Sequence, residues 1–246
     1  MGKVVSTASK RSTGGRLRGK VLRPIRRKTG SGWRDYAILL GGAVLLAIVV
    51  KTFFIQAFRV PSRSMEDSLL AGDYLLVDKF GYGPRVPATE WDLPALAPLE
   101  AGDVVLFRYP LDTERIYVKR CVATAGQTVE IRNKVLYVDG RRSPDPPYSK
   151  FLDARIFPAS QNRRDNLGPL VVPEGHLFVL GDNRDNSRDS RHWGLLPSHM
   201  VVGRAFGVYW SCEPAPRPSS ALAVSGCNVP NAFSRVRWER LGEWVH

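Results

Sequence analysis

One uninterrupted apolar segment constrains the fold of this chain more than any other feature. Residues Tyr36–Val50 carry no charge, and extension past Lys51 to Ile55 gives a run of 20 residues. A helix of about 20 apolar residues crosses a hydrocarbon core of roughly 30 Å, and a lysine near its end can reach the interface. A cleaved signal peptide fits less well, because the preceding flank of 34 residues is too long and no A-x-A motif directly follows the run. We therefore predict a transmembrane helix over residues 35–57.

The net charge of the chain is concentrated in its N-terminal tail. Of 36 lysines and arginines, 11 lie in residues 1–34, which contain no acid, so the rest of the chain has 25 bases against 23 acids. A nearly neutral body argues against a nucleic-acid-binding domain, and we expect no nucleic acid among the partners. We interpret residues 1–34 as a mostly disordered basic tail beside the membrane.

Basic residues flank the apolar segment unequally. Residues 15–34 contain eight lysines and arginines, whereas residues 59–78 contain two. The positive-inside rule then predicts that the N-terminus lies in the cytoplasm and residues 59–246 outside.

The three cysteines and four histidines show no metal-binding pattern, since C-x-x-C and H-E-x-x-H motifs are both absent. We therefore predict neither a metal site nor a cofactor. Cys212 and Cys227 both follow the last predicted core strand and face an oxidising compartment in this orientation, so we expect them to form a disulfide. Cys121, in the middle of a predicted strand, is expected to be a buried free thiol.

The region after the apolar segment is predicted to be mainly β. Short runs rich in Val, Ile, Leu, Phe and Tyr are bounded by turn residues such as Asp139-Gly140, and residues 131–135 are typical of a hairpin turn. The predicted strands are Tyr74–Lys79, Asp103–Arg108, Ile116–Ala123, Thr128–Ile131, Val135–Val138, Leu177–Leu180 and Val201–Tyr209.

Three segments lie outside these strands. Gly83–Glu100 and Arg141–Pro169 contain prolines and are predicted to be irregular loops or an inserted lobe. Residues 212–246 are predicted to form a loop and a short amphipathic helix between Phe233 and Val245. That helix fits packing on its own domain and contact with a membrane surface about equally well.

Two serines lie two residues apart just after the apolar segment. In extended backbone, residues i and i+2 point the same way, so Ser62 and Ser64 present both hydroxyls to one site. Pro61 stiffens the approach to them. A polar, solvated linker is the alternative interpretation of so short a motif.

Lys119 lies inside the β run Ile116–Val122. A lysine on a strand normally projects into water. On an apolar face, however, desolvation lowers the pKa of a lysine from about 10.4 towards neutrality, and the free amine can then act as a general base. Serine with lysine is an accepted pair of nucleophile and base.

The segment Gly181–Arg191, GDNRDNSRDSR, consists almost entirely of hydrogen-bonding residues. A solvated loop is one interpretation. A calcium loop is another, but the EF-hand glycine and terminal glutamate are missing. We favour a buried polar network in which aspartate and arginine side chains hold the loop against a site.

Residues 51–211 resemble type I signal peptidases, the leader peptidases, through four blocks in that family's order. The resemblance implies an N-terminal transmembrane helix followed by an antiparallel β-rich catalytic domain at residues 58–211, with a variable second lobe near residues 141–169. The blocks are FRVPSRSMEDSL at Phe58–Leu69, DYLLVDKFGYG at Asp73–Gly83, YVKR at Tyr117–Arg120 and GDNRDNSRDSRHWGLLP at Gly181–Pro197.

The same resemblance implies a role for each matching residue. Ser64 would be the nucleophile and Lys119 the general base. The oxyanion hole would consist of the backbone N–H of Ser64 and the hydroxyl of Ser62, and Ser187 would donate or accept a hydrogen bond with the lysine. The supporting network would be Asp182, Asp189 and Arg191. The pockets for small substrate side chains would be lined by Phe58, Val60, Met65, Leu69, Tyr117 and Val118.

The chain departs from the family pattern in two loops. Glu66-Asp67-Ser68-Leu69 follows Met65, where the family usually has Pro-Thr-Leu, and Thr124–Gln127 replaces Leu-Pro-Gly-Asp. Neither change removes a reacting group, but both bear on loop geometry and substrate preference.

The implied activity is that of a membrane-bound serine endopeptidase on the outer face of a bacterial cytoplasmic membrane. It would cleave signal peptides from exported preproteins after small residues, through an acyl-enzyme, as a monomer without a cofactor. The alternatives are a peptidase dedicated to one pilin-like or conjugation substrate, and a catalytically silent membrane-anchored binding domain.

Overall fold

The computed structural model describes residues 32–53, 55–79, 81, 97–213 and 232–245. Helix α1, Trp33–Phe53, is long and apolar enough to cross a membrane, with a mean hydropathy of 1.7 over Trp33–Val50. The side chains of residues 32–50 are exposed to solvent in the isolated chain, as those of a lipid-facing helix are. The predicted helix over residues 35–57 extended too far at its C-terminal end, because strand β1 begins at Ile55. Residues 55–59 pair along their whole length with β2, and this pairing overrides the apolar character that predicted helix.

The rest of the described chain is mainly antiparallel β-structure, as predicted, and its strands form two sheets. The larger sheet has the order β1-β2-β11-β3-β4-β9-β10 and the smaller the order β7-β6-β5-β8. The strands are β1 Ile55–Arg59, β2 Asp73–Asp78, β3 Val104–Tyr109, β4 Asp112–Ala123, β5 Thr128–Arg132, β6 Val135–Val138, β7 Arg141–Arg142, β8 Leu167–Val171, β9 His176–Leu180, β10 Leu196–Pro197 and β11 Val201–Ser211.

Strand β2 alternates in burial along its length. In β2, residues 73, 75 and 77 are buried while their neighbours are partly exposed, which is the period of a half-buried strand. Leu75 and Val77 pack in one core cluster with Val60, Met65 and Leu69 of the loop that follows β1. This loop, residues 60–72, is called the nucleophile loop below. Each fully buried side chain of this size stabilises the fold by about 1.5–3 kcal/mol, so the core fixes the position of the loop.

The smaller sheet forms a second lobe that begins earlier than predicted. The prediction placed it at residues 141–169, but the sheet is built from residues 128–171. Its first element is the predicted hairpin, in which Arg132 pairs with Val135 across Asn133 (φ 48) and Lys134 (φ 71). Two consecutive residues with positive φ make the type of turn that matches the twist of paired strands. Strand β8 then closes the lobe by pairing Val171 with Thr128.

The C-terminal segment does not form the predicted amphipathic α-helix. It contains two short 3-10 helices, Ala232–Arg235 and Trp238–Arg240. The segment lies along β11, where Val208 donates to the carbonyl of Glu243 over 2.9 Å and Val245 donates to that of Phe206 over 3.1 Å. Packing on its own domain is therefore the arrangement that the described residues adopt.

Two of the three cysteines lie in the described part of the chain. Cys121 is a buried free thiol, as predicted, and burial raises its pKa to about 12. Cys212 is in a disulfide, and its predicted partner, Cys227, lies outside the described residues. Cys212 also marks a close backbone approach, because a side chain at Gly72 (φ 94) would overlap its carbonyl oxygen.

Candidate active site

Ser64 and Lys119 meet beside strand β4 of the larger sheet. The nucleophile loop carries Ser64, and the buried half of β4 carries Lys119. Lys119 Nζ donates to Ser64 Oγ over 2.5 Å and to the carbonyl of Val118 over 3.0 Å. The serine is 9% exposed and the lysine 3% exposed, so the pair is nearly closed to bulk water.

Burial changes the chemistry of this lysine. Desolvation lowers the pKa of Lys119 to about 8, against the opposing effect of the nearby carboxylates Asp189 and Asp182, while Arg191 lowers it further. Close to neutral pH a substantial fraction of the amine is therefore free to accept a proton. The sequence analysis expected Lys119 to act as a general base only if it lay in an apolar, desolvated environment, and burial supplies that environment.

Ser62 lies on the same side as Ser64, as the i, i+2 spacing predicted. The two hydroxyl oxygens are 3.2 Å apart. Ser62 is exposed, whereas Ser64 is buried, so Ser62 lies between the lysine–serine pair and the solvent. A hydroxyl at this position is available to a group that reaches Ser64 from outside.

The segment Gly181–Arg191, called the polar loop below, is a buried network. Asp189 is fully buried and accepts from Arg191 Nη2 at 2.7 Å and from Arg191 Nε at 2.8 Å. It also accepts from the backbone N–H of Gly181 at 3.1 Å and caps the short helix α2, Ser190–Trp193. Burial acts to raise the pKa of the Asp189 carboxyl, but the Arg191 guanidinium and these hydrogen bonds outweigh that effect and lower it, so this aspartate stays ionised.

Ser187 does not make the predicted hydrogen bond to the lysine. Its hydroxyl is buried and close enough to lower the pKa of Asp189, but it satisfies no hydrogen-bond geometry with any described residue. The second hydrogen bond of Lys119 goes to its own strand at Val118 instead. Backbone geometry within β4 supplies the acceptor that the sequence assigned to Ser187.

Asp182 supports the site from a second direction, through a partner that sequence reasoning did not identify. Arg120 Nε and Nη2 each lie 2.9 Å from a carboxylate oxygen of Asp182, and both side chains are buried. Ser68 Oγ donates to the same carboxylate over 2.6 Å. No local pattern in the sequence pairs Arg120 with Asp182, because the two residues lie 62 positions apart.

Comparison with known proteins identifies the family of this chain. The sequence profile of the family described as "Signal peptidase, peptidase S26" matches residues 33–210. The chain belongs to this family. Signal peptidase I of Pseudomonas aeruginosa is 34% identical over 221 residues, which cover 78% of this chain and 74% of that protein. Signal peptidase I of Aquifex aeolicus is 30% identical over 252 residues, covering 81% and 94% respectively.

A solved structure of signal peptidase I from Enterococcus faecalis matches with a TM-score of 0.36 and 29% identity, covering 44% of this chain and 96% of that chain. The family assignment rests on the sequence comparisons. The chain is therefore a serine endopeptidase, as the four sequence blocks predicted. Its helix α1 agrees with membrane anchoring in this peptidase family.

The peptidase has a cavity of about 310 Å³ above Ser64 and Lys119. Four of the six residues predicted to line it do so: Val60, Met65, Tyr117 and Val118. The other two do not. Leu69 is fully buried in the core, and Phe58 packs against the same core cluster. The lining also includes Pro61, Arg63, Ile116, Asn186 and Arg188.

Two residues of the nucleophile loop that depart from the family pattern, Glu66 and Asp67, contact other parts of the peptidase. Glu66 Oε2 accepts from Asn183 Nδ2 over 3.2 Å, and Asp67, at a φ of 82, accepts from Lys150 Nζ over 3.1 Å. Lys150 belongs to the second lobe, and its backbone N–H donates to the carbonyl of Asp182 over 2.8 Å. The residues that differ from the family pattern therefore form hydrogen bonds within this chain.

The C-terminal segment of the peptidase also reaches the nucleophile loop, which the sequence did not reveal. Arg240 Nη2 lies 2.8 Å from Oδ2 of the buried Asp73 and 3.0 Å from the carbonyl of Ser68. The Asp73 carboxylate also accepts from the backbone N–H of Leu70 at 2.8 Å and from Ser211 Oγ at 2.6 Å. Asp73 thus joins the loop, β11 and the C-terminal segment.

Proposed function

We propose that this peptidase removes signal peptides from exported preproteins through Ser64 as nucleophile and Lys119 as general base, cleaving after small residues. The observation that carries the proposal is the hydrogen bond of 2.5 Å from Lys119 Nζ to Ser64 Oγ, made by a lysine that burial has brought to a pKa of about 8. No histidine is assigned a part in the reaction.

The proposed reaction has two halves. In the first, the neutral amine of Lys119 takes the proton of Ser64 Oγ as that oxygen attacks the scissile carbonyl. The oxyanion that forms accepts hydrogen bonds from the backbone N–H of Ser64 and the hydroxyl of Ser62. Lys119 then returns the proton to the departing amine, which leaves an acyl-enzyme on Ser64. In the second half, Lys119 activates a water molecule that releases the acyl group.

The preference for small residues follows from the size and lining of the cavity. Val60, Met65, Ile116 and Val118 narrow it with apolar side chains beside Ser64. The nucleophile loop is anchored in the core by Val60 and Met65, which are 2% and 1% exposed, so the wall cannot easily retreat. A side-chain methylene that does not fit such a pocket costs roughly 1–3 kcal/mol. We therefore assign alanine-type residues to the −1 and −3 positions.

The proposed location follows from the charge asymmetry of the sequence. Residues 1–34 lie in the cytoplasm, α1 spans the cytoplasmic membrane, and the catalytic domain faces outward. The peptidase acts as a monomer, and its partners are exported preproteins and the lipid bilayer. Protease added to spheroplasts then digests the catalytic domain, whereas full protection overturns the orientation.

The experiment that tests the function is cleavage of a purified preprotein by the detergent-solubilised full chain. Mass spectrometry locates the new N-terminus, and the Ser64→Ala variant is the control. Cleavage after Ala at −1, with a sharply reduced rate for Leu at −1, supports the proposal. Equal rates for Ala and Leu contradict the pocket assignment. Absence of cleavage of every precursor contradicts the activity, and cleavage of one precursor among many points to a dedicated processing peptidase.

A further inference from the structure

A second cavity adjoins the active-site cavity. Its volume is about 680 Å³, and its lining is entirely polar or charged. Residues 161–163 of the second lobe form one side, and residues 185–188, 191 and 192 of the polar loop and α2 form the other. Asn186 and Arg188 line both cavities, so this second cavity, called the outer cleft below, continues from the one that contains Ser64.

The acidic charge in the outer cleft is already neutralised. Asp185 is the carboxylate among its lining residues, and its side chain is 4% exposed. Lys134 Nζ lies 2.8 Å from Asp185 Oδ1, and the backbone N–H of Asp153 donates to Oδ2 over 2.7 Å. The carboxylate is therefore committed to the second lobe.

Two arginines in the same lining remain uncompensated. Arg163 and Arg188 are exposed and form no ion pair with any described residue. The third arginine, Arg191, is neutralised by the buried carboxylate of Asp189. Burial lowers the pKa of His192, so this histidine adds little charge at neutral pH. The outer cleft is therefore a positive surface that begins beside Ser64.

The two cavities differ in the chemistry that they can accept. The one above Ser64 has apolar walls, which suit the small residues that precede the scissile bond in a signal peptide. The outer cleft offers no apolar side chain, which suits the polar chain of an exported protein that follows the bond. A membrane surface fits it less well, because the cleft lacks apolar side chains to enter lipid.

From this charge balance we infer that the outer cleft binds the substrate residues that follow the scissile bond, and that Arg188 and Arg163 favour precursors with acidic side chains there. The inference rests on the proposed function. Arg188 lines both cavities and meets the first of these residues. Arg163 lines only the outer cleft and meets residues further along, since each extended residue advances the chain by roughly 3.3–3.6 Å.

The test is a set of preproteins that are identical except for Glu, Gln or Lys at each of the first positions after the cleavage site. The rate constant kcat/KM is measured for the wild type, Arg188→Gln, Arg163→Gln and the double variant, at low and at high salt. Arg142→Gln is the matched control, because Arg142 is an exposed arginine in β7, away from both cavities. The same peptides are bound to the Ser64→Ala variant, with or without the two further substitutions, by fluorescence anisotropy.

We expect the wild type to prefer Glu over Gln by roughly twofold to fivefold per position, the range of an exposed charge pair. The preproteins with Lys should have the lowest kcat/KM, and high salt should reduce the differences in kcat/KM among the Glu, Gln and Lys preproteins. The preference should fall towards one in the double variant and persist in Arg142→Gln. Equal kcat/KM for the three series in the wild type, or a preference that survives in the double variant, overturns the inference.

The binding series separates this inference from the proposed function. If no preprotein is cleaved, the proposed function fails. The anisotropy measurements then still test whether the outer cleft binds acidic peptides. Tighter binding of the Glu peptides, lost in the double substitution, supports the cleft. Equal affinity for all three peptides overturns it. That result would overturn it also if the two arginines were found to bind vesicles of anionic phospholipid instead.

Discussion

Lys119 and Ser64 are 55 positions apart in the sequence, yet Lys119 Nζ lies 2.5 Å from Ser64 Oγ. The lysine comes from the middle of a 12-residue strand, and the serine from a loop that three core side chains hold in place. The same burial that closes the pair to water lowers the pKa of Lys119 to about 8. About a tenth of the amine is therefore neutral at pH 7, against well under a thousandth for an unperturbed lysine.

The first prediction concerns the pH dependence of cleavage. The neutral form of Lys119 is the active one, so kcat/KM should rise with pH and level off above about 8, which is the pKa that burial gives this lysine. The measurement is a pH profile of kcat/KM on one preprotein, with the His192→Ala variant as the control. An acid limb below pH 6.5, where burial places the pKa of His192, that is absent in His192→Ala means that this histidine is the base.

The second prediction concerns stability. The folded pKa of Lys119, about 8, lies below the value of 10.5 for an unburied lysine. Between these two values the unfolded chain binds more protons than the folded one, so the free energy of unfolding should increase with pH through this window. In Lys119→Met this contribution disappears. Urea unfolding across the window should therefore give a flatter pH dependence for Lys119→Met than for the wild type, and parallel curves contradict the buried lysine.

The third prediction concerns the reacting residues themselves. Ser64→Ala and Lys119→Ala should each abolish cleavage in a folded, membrane-bound protein, because the first removes the nucleophile and the second its base. Ser187→Ala should retain more activity, since its hydroxyl bonds neither reacting group. His176→Ala and His199→Ala serve as controls with substantial activity expected. Circular dichroism confirms folding in each case. An active Lys119→Ala protein disproves the assignment of the base.

The site was predicted from the sequence to the extent that local chemistry determined it. The spacing of Ser62 and Ser64 predicted a shared direction, and their oxygens are 3.2 Å apart. The density of hydrogen-bonding residues in the polar loop predicted a buried network, which Asp189 and Arg191 form. These features follow from short-range geometry and from the cost of burying unpaired charges.

Long-range pairings were not predictable in the same way. The contacts of Arg120 with Asp182 and of Arg240 with Asp73 join residues 62 and 167 positions apart, and no local pattern in the sequence specifies them. Leu69 was assigned to the substrate pocket from a motif, but an apolar side chain beside a catalytic serine can equally face the core, where Leu69 lies. Strand β1 was missed because pairing with β2 decides its structure.

The fourth prediction tests the ion pair behind the site. Arg120→Ala leaves the Asp182 carboxylate buried, with the Ser68 hydroxyl as its one remaining side-chain donor among the described residues. Breaking such a pair costs about 3–5 kcal/mol. The matched control is Arg115→Ala on the same strand, whose ion pair with Asp112 is exposed and worth at most about 1 kcal/mol. Chemical denaturation measures both. Equal losses of stability in the two variants contradict a structural role for the buried pair.

The last prediction concerns the C-terminal segment as a positioning element for the nucleophile. Arg240 binds both the carbonyl of Ser68 and the carboxylate of Asp73, and that carboxylate in turn holds the backbone N–H of Leu70. Arg240→Ala removes the side-chain contacts to Ser68 and Asp73, whereas Arg237 Nη2 still donates to the carbonyl of Ala71 over 2.7 Å and its Nη1 remains 3.8 Å from Asp73. We expect the free energy of unfolding to fall by about 2 kcal/mol and kcat to fall by at least about tenfold, since a small displacement of a reacting group is costly.

The pH profile and two further variants distinguish positioning from a general loss of structure. Arg240 contacts neither Lys119 nor the residues that shift its pKa, so the acid limb of kcat/KM should stay near pH 8 in Arg240→Ala while kcat falls. Arg240→Lys should recover part of kcat, because one ammonium reaches the Asp73 carboxylate but cannot bond both acceptors as a guanidinium does. Glu239→Ala, an exposed neighbour in the same 3-10 helix, should behave as the wild type. A kcat within twofold of the wild type in Arg240→Ala shows that the core alone positions Ser64.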